Sequence, residues 1–209
     1  MTENKVKKFK ISKKWIIILL VVFVIGWFIS FAMKYINNIP KLDENVKASW
    51  SQVINNYKSR TDLIPNLVAT VKGYAKHEKE ALVGVINARA KATQMNLPEN
   101  ILTDKNAFMQ FQSVQNGLTS ALSKLMVVVE KYPDLKANKS FIGLQSQIEG
   151  MEARIRVARK DYIVAVKEYN LELRVFPNYI VASIFHPSAE MRENFVIAKE
   201  EESNPKVNF

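Results

Sequence analysis

The 209-residue chain has no cysteine, two histidines and six glycines, and each scarcity closes off a class of chemistry. Without cysteine there are no disulfides, thiolate metal sites or cysteine nucleophiles, and no lipid attachment through an N-terminal cysteine. Glycine is too sparse for a phosphate-cradling loop, and no nucleophile elbow or Ser-His-Asp arrangement is present. His77-Glu78-Lys79-Glu80-Ala81 begins like the zincin motif, in which two histidines four apart on one helix face bind zinc and the glutamate acts as base. Ala81 stands where the second histidine belongs, so the motif fails. His77 and His186 are the only histidines, and the plain reading of His77 is a helix-surface side chain. Paired acids such as Glu149 and Glu152 read as a solvated helix face. No catalytic residue, metal ligand or cofactor is assigned, and an enzyme is the least favoured class.

The formal charge of +10 resembles a nucleic-acid signature until it is divided along the chain. Residues 1–14 carry six lysines and one glutamate, Lys34 adds one charge, and residues 35–209 hold 23 basic and 19 acidic side chains. More than half the excess therefore sits beside one apolar segment. The rest is a mildly basic surface with interspersed signs, without RNP sequence, zinc-finger spacing or an arginine-rich stripe, and no nucleic-acid partner is expected.

That segment is the longest charge-free run near the N-terminus: Trp15-Ile16-Ile17-Ile18-Leu19-Leu20-Val21-Val22-Phe23-Val24-Ile25-Gly26-Trp27-Phe28-Ile29-Ser30-Phe31-Ala32-Met33. At about 1.5 Å per residue it reaches roughly 28 Å, close to the hydrocarbon thickness of a bilayer. Trp15 at one end and Trp27, Phe28 and Phe31 near the other suit the interfacial zones. A cleaved signal peptide is the alternative, with small residues at Ser30 and Ala32. The run exceeds the usual apolar core of a signal, and bulky Trp27, Phe28 and Phe31 precede the cut, so a retained transmembrane helix is expected. Six lysines before the run against Lys34, Lys41 and Lys47 after it place the N-terminus in the cytoplasm and the domain outside. The expected division is a basic leader over 1–14, the transmembrane helix over 15–33, a short linker over 34–41, a helical bundle over 42–186 and a polar tail over 187–209.

Ile36-Asn37-Asn38-Ile39-Pro40 predicts a brief loop or kink, because proline lacks a donor and restricts the residue before it. From there Leu42, Val46, Trp50, Val53, Tyr57, Ile64, Leu67, Val71, Tyr74, Leu82 and Val85 form one stripe at helical spacing. Its phase survives Pro65, which predicts one long kinked helix rather than two. Residues 91–103 lose the period and read as the longest loop, with Asp104 as a cap for the next helix. Phe108, Phe111, Val114, Leu118, Leu122, Leu125 and Val129 mark this second helix, closed by Tyr132-Pro133-Asp134. Phe141, Leu144, Ile148, Met151, Ile155, Ala158, Tyr162, Ala165, Tyr169, Leu173 and Phe176 mark a third, with coiled-coil regularity. Ile180 to Phe185 could cap the bundle, and VASIF within it is the one strand candidate. Three long helices with single apolar stripes predict an all-α, elongated antiparallel bundle without a sheet.

Several segments carry a resemblance beyond pattern. Arg60-Thr61-Asp62-Leu63-Ile64-Pro65-Asn66-Leu67-Val68 running on to Glu78, Tyr132-Pro133-Asp134-Leu135-Lys136-Ala137-Asn138, Arg154-Ile155 to Tyr162 with Tyr169-Asn170, and Phe176-Pro177 closely resemble the bacterial LemA family, in order from Leu42 to Phe185. The resemblance implies a single-pass bacterial membrane protein with an all-helical domain of unestablished biochemical role. It also implies an N-terminus outside the cell, opposite to the lysine count.

Two function classes lead. One is a membrane-tethered scaffold or interaction module whose partners are the lipid bilayer and another envelope or membrane protein. The other is a ligand-sensing or transport-accessory module using a groove near the Pro65 kink. Charges converging around Arg60, Asp62, Asn66 and Lys72 would favour the second, and an exposed apolar or mixed stripe the first. The plain reading of Arg60, Asp62 and Asn66 is that they satisfy backbone groups freed by Pro65.

Overall fold

The computed structural model describes residues 13–196, apart from the side chains of residues 13, 28, 29, 31 and 32. Most of the basic leader, the tail beyond residue 196, and the expected interfacial rings of Phe28 and Phe31 therefore lie outside the described residues. Six helices follow one another: α1 (Lys13–Tyr74), α2 (Lys79–Gln94), α3 (Lys105–Val129), α4 (Pro133–Lys136), α5 (Lys139–Glu172) and α6 (Asn178–Phe185). No strand occurs among the described residues, and VASIF lies in α6.

The bundle has four long helices, not three. The stripe that ran from Leu42 to Val85 is divided at residues 75–78, where the chain reverses and α2 returns along α1. Periodicity alone missed this turn because Leu82 and Val85 are as buried as the residues before it, only on a different helix. Helix α2 packs along α3 and α5 along α1, which gives an up-down-up-down arrangement with α4 as its corner.

The helix starts follow their chemistry. Asp104 Oδ1 accepts from the backbone N–H groups of Asn106 and Ala107 at 2.9 and 3.1 Å, as expected of the cap. Asn138 does the same for Phe141 at 3.0 Å, and Pro133 opens α4, where its missing N–H costs nothing. The loop ahead of α3 starts at Met95, later than expected, and buries Ile101 and Leu102.

Helix α1 is 62 residues long and contains both Pro40 and Pro65. It is a single helix across Pro65, as the stripe predicted. It is also helical through 36–40, where a loop or kink was expected. A proline inside a helix leaves the carbonyl four residues earlier without its N–H. For Pro65 that carbonyl belongs to Thr61, and Arg89 Nε of α2 donates to it at 3.2 Å. For Pro40 it belongs to Ile36, and His186 Nε2 lies 2.9 Å away, which calls for a proton on that nitrogen. Both vacancies are filled by side chains from distant segments, so the helix need not break.

Two apolar clusters fill the bundle. Trp50, Tyr57, Phe108, Phe111, Ile155 and Tyr162 dominate one, and Ile64, Leu67, Leu118, Leu125, Leu135 and Phe141 the other. The expected seams are buried or half-buried, the latter at Leu42, Val114, Leu144, Met151 and Leu173, with two exceptions, Tyr74 and Phe176, which are exposed. Trp50 sits edge-on to Phe111 at 5.0 Å and tilted against Tyr162 at 5.4 Å, geometries that favour ring pairs.

The apolar run forms the first turns of α1, and every side chain from Trp15 to Ile25 is between 48 and 73% exposed. Among the described residues, no helix is long and apolar enough to cross a membrane. The run is interrupted there by the four undescribed side chains between Trp27 and Met33.

Ile155 is buried on the most regular seam, whereas His77 is exposed in the turn before α2. Ile155→Ala is expected to destabilise the bundle by about 2 to 5 kcal/mol, and His77→Ala by no more than about 0.5 kcal/mol. Urea melts of both variants, made without the apolar run, check the ranking; a severe His77→Ala would contradict it.

Candidate functional site

The two apolar clusters are separated by a polar layer centred on Arg60. One turn beyond Tyr57 on α1, Arg60 points inward and is fully buried. Its guanidinium donates to Glu152 Oε1 at 2.6 Å, Thr119 Oγ1 at 2.8 Å and Gln115 Oε1 at 2.9 Å, and lies 5.1 Å from the centre of the Tyr57 ring. Burial pushes the Tyr57 phenol above its ordinary value, so the ring stays neutral beside the cation. Nearby, Asn56 Nδ2 reaches the Arg154 carbonyl at 3.4 Å and Thr61 Oγ1 the Tyr57 carbonyl at 2.7 Å. The layer ties α1, α3 and α5 together at one height.

Glu152 is the exit of this layer toward solvent. Its side chain, 27% exposed, lines a groove of about 510 Å³ between α3 and α5 together with Gln145, Glu149 and Arg156. The expectation that Glu152 was a solvated surface acid is corrected: it is the counter-ion of a buried arginine. Arg60 sits among apolar neighbours on its stripe, and only its partner on α5 explains it.

The other predicted candidates do not join Arg60. Asp62 is exposed and borders grooves on both flanks of α1, one of about 220 Å³ against α2 and one of about 440 Å³ against α5. Asn66 and Lys72 are exposed on the solvent side of α1. The carbonyl freed by Pro65 is met by Arg89, not by Arg60, Asp62 or Asn66. Another concave surface lies elsewhere, a mixed groove of about 700 Å³ between α2 and α3, floored by small residues such as Ala81, Gly84, Gly117 and Ala121 and rimmed by Lys91 and Lys124. Among the described residues no group of three or more His, Asp or Glu is placed to hold a metal ion.

A second polar system lies within the segment expected as a polar tail. Residues 187–196 run back across the bundle as a strap. Asn170 Oδ1 accepts from the Arg192 N–H at 2.8 Å while its Nδ2 donates to the Arg192 carbonyl at 2.9 Å. Glu193 N–H donates to the Leu102 carbonyl at 2.7 Å, and Tyr162 Oη donates to the Glu193 carbonyl at 2.7 Å. Burial raises the Tyr162 phenol well above its usual range, which keeps that proton in place. Gln112 pairs with both backbone groups of Val196. Phe195 meets Phe108 edge-on at 5.1 Å, under the Arg159 guanidinium at 4.4 Å. The sequence signal was Phe195 itself, the one aromatic ring in residues 187–196.

Arg192 fastens the strap to the start of the bundle through Asp43, at 2.6 and 3.1 Å. Partial burial works to raise the Asp43 carboxyl, but hydrogen bonds and charge from Lys47 and Arg192 outweigh it and leave the group below its ordinary value.

The geometry defines a class: among the described residues, an all-helical, four-stemmed bundle whose first helix begins with exposed apolar side chains from Trp15 to Ile25. The chain belongs to the LemA family, whose pattern matches residues 49–209, from within α1 through the strap. It is similar to magnetosome proteins MamQ 1 and MamQ 2 of Paramagnetospirillum magneticum, each 24% identical over 79% of this chain and 66% of the relative. It is also similar to Protein LemA of Metamycoplasma hominis, 24% identical over 81% of this chain and 74% of that protein. The chain thus spans just under two thirds of the magnetosome relatives' length.

Removing one partner of a buried pair strands the other charge. Glu152→Ala is expected to cost about 3 to 5 kcal/mol, and adding Arg60→Met to recover most of it. Urea melts of the single and double variants decide; equal loss in both would deny that an unpaired charge is the cause.

Because the folded Asp43 carboxyl is depressed, its contribution is complete above its unfolded value of about 3.9 and is lost as pH falls through the folded value. The stability gap between the natural chain and Arg192→Ala should therefore narrow below about pH 4. Thermal melts across an acid series test this, and a gap that stays constant would refute it.

Proposed function

We propose that this chain is a single-pass membrane protein of the bacterial envelope in which residues 15–33 cross the bilayer and the bundle over 42–186 serves as a non-catalytic scaffold. The observation that carries this is the state of the apolar half of α1: a helix apolar all round, with Trp15 to Ile25 exposed, is uncovered by any other part of the described chain. Water is a poor environment for such a surface and hydrocarbon a good one, and a helix satisfies its own backbone groups there. The names of the similar proteins, a magnetosome protein and LemA, refer to no reaction.

The scaffold reading is supported by what the polar centre can do. The donors on Arg60 Nη1 and Nη2 engage Glu152, Thr119 and Gln115, leaving a locked ion pair rather than an acid, base or nucleophile poised beside open space. The mixed groove between α2 and α3 provides side-chain surface for an envelope or membrane protein. Following the lysine asymmetry, the N-terminus is cytoplasmic and the bundle outside.

Protein extracted from membranes is expected to begin at or near Met1 and to partition with detergent. Protease added to intact spheroplasts should digest the bundle and spare the leader. A mature start at Met33 would overturn the anchor, and digestion of the bundle only after lysis would reverse the orientation.

A further inference from the structure

The end of the bundle nearest the apolar run carries a second uncovered apolar surface. Phe176 (73% exposed) and Tyr179, Ile180, Ile184 and Phe185 lie at helical spacing through the turn into α6 and along it, with Val175 just before them. The opposite face of the helix buries Ala182 into the aromatic cluster. A patch of this kind is an interaction surface unless something covers it.

The height of α6 identifies the cover. His186, directly after α6, bonds the carbonyl of Ile36, which is three residues beyond Met33. Three residues of helix rise about 4.5 Å, and the polar zone of a bilayer extends roughly 5 to 7 Å beyond each side of the hydrocarbon. The C-terminal end of α6 is therefore fixed at the level where the apolar run ends. Its composition suits that level: Phe176, Tyr179 and Phe185 are aromatic, as interfacial belts are. Lys34 and Arg174 are exposed cations at the same end, complementary to anionic headgroups.

We infer that α6 is a second membrane contact, an interfacial helix that rests its Phe176–Tyr179–Ile184–Phe185 face in the headgroup zone of the leaflet beside the bundle. This rests on the membrane-spanning reading of residues 15–33. With the helix seated, the bundle touches the bilayer at two points, the spanning helix and α6, which fixes its rotation about the α1 axis.

The absence of cysteine makes the test direct. Ile184→Cys, Phe23→Cys and Val127→Cys, each at an exposed side chain, are labelled with an environment-sensitive nitrobenzoxadiazole dye in the full chain. The proteins are reconstituted in phosphatidylcholine–phosphatidylglycerol vesicles with and without brominated lipid. Circular dichroism melts confirm that each variant is folded. Labels at Ile184 and Phe23 should lose emission several-fold in brominated vesicles, and the label at Val127, near the far end of the bundle, should not. Quenching at Phe23 without quenching at Ile184 overturns the inference and leaves the anchor standing. No quenching at Phe23 removes the anchor and the inference together. An Ile184 label shielded from both brominated lipid and aqueous iodide means a protein cover, a second copy or a partner, and overturns the inference. Equal quenching at Val127 also overturns it, because the whole bundle would then lie on the membrane.

Discussion

A proline inside a helix leaves bare the carbonyl four residues before it, and α1 carries two such prolines. Arg89 takes the one at Thr61 and His186 the one at Ile36, each from a segment that reaches α1 only after the bundle has closed. Continuity of α1 is thus a tertiary property, not a local one. Every other relation depends on it: the apolar run stays collinear with the core seam, α2 is held against α1 at Thr61, and α6 is held at the height of Ile36. Without those two bonds the same sequence has reason to bend at residues 40 and 65.

The polar layer works differently. Taking the Arg60 guanidinium out of water costs several kcal/mol even after relaxation, and the 2.6 Å contact with the partly exposed Glu152 and the added hydrogen bonds offset this only in one alignment. Sliding α5 by one turn against α1 would bury the guanidinium without its partner. Apolar seams of similar residues tolerate such slips, whereas a single buried pair between two apolar clusters does not. The strap acts at a neighbouring level, since Phe195 fills the aromatic cluster below the layer and Arg192 returns the chain to Asp43 near the start of the bundle.

How much could be read in advance was set by the range of the forces involved. Seams with a 3.6-residue period were legible because burial repeats along one helix: Ile148, Ile155, Tyr162 and Tyr169 announce themselves, and Asp104 announces its cap. The turn at 75–78 was not, since nothing in Ala75-Lys76-His77-Glu78 breaks the spacing from Val71 to Leu82. Pro40 predicted a loop or kink at 36–40 that the structure does not show, because the groups that take the freed carbonyls of Pro40 and Pro65 stand 150 and 28 residues from them in sequence. Of the candidate residues, Arg60 was recognisable as unusual and its role was not, because Glu152 looks like any surface acid until α5 is placed. The strap was hidden by composition, its ten polar-leaning residues being held mainly through backbone groups, which all sequences share.

An unbroken α1 also behaves as a lever. From Met33 to Tyr74 the helix extends about 60 Å, and a spanning helix in a bilayer commonly tilts by about 20°. On the spanning reading proposed above, such a tilt would carry the far end of the bundle sideways by roughly 20 Å. On that reading, a thinner or thicker bilayer would change the tilt, and lipid composition would become a mechanical input to the position of the tip.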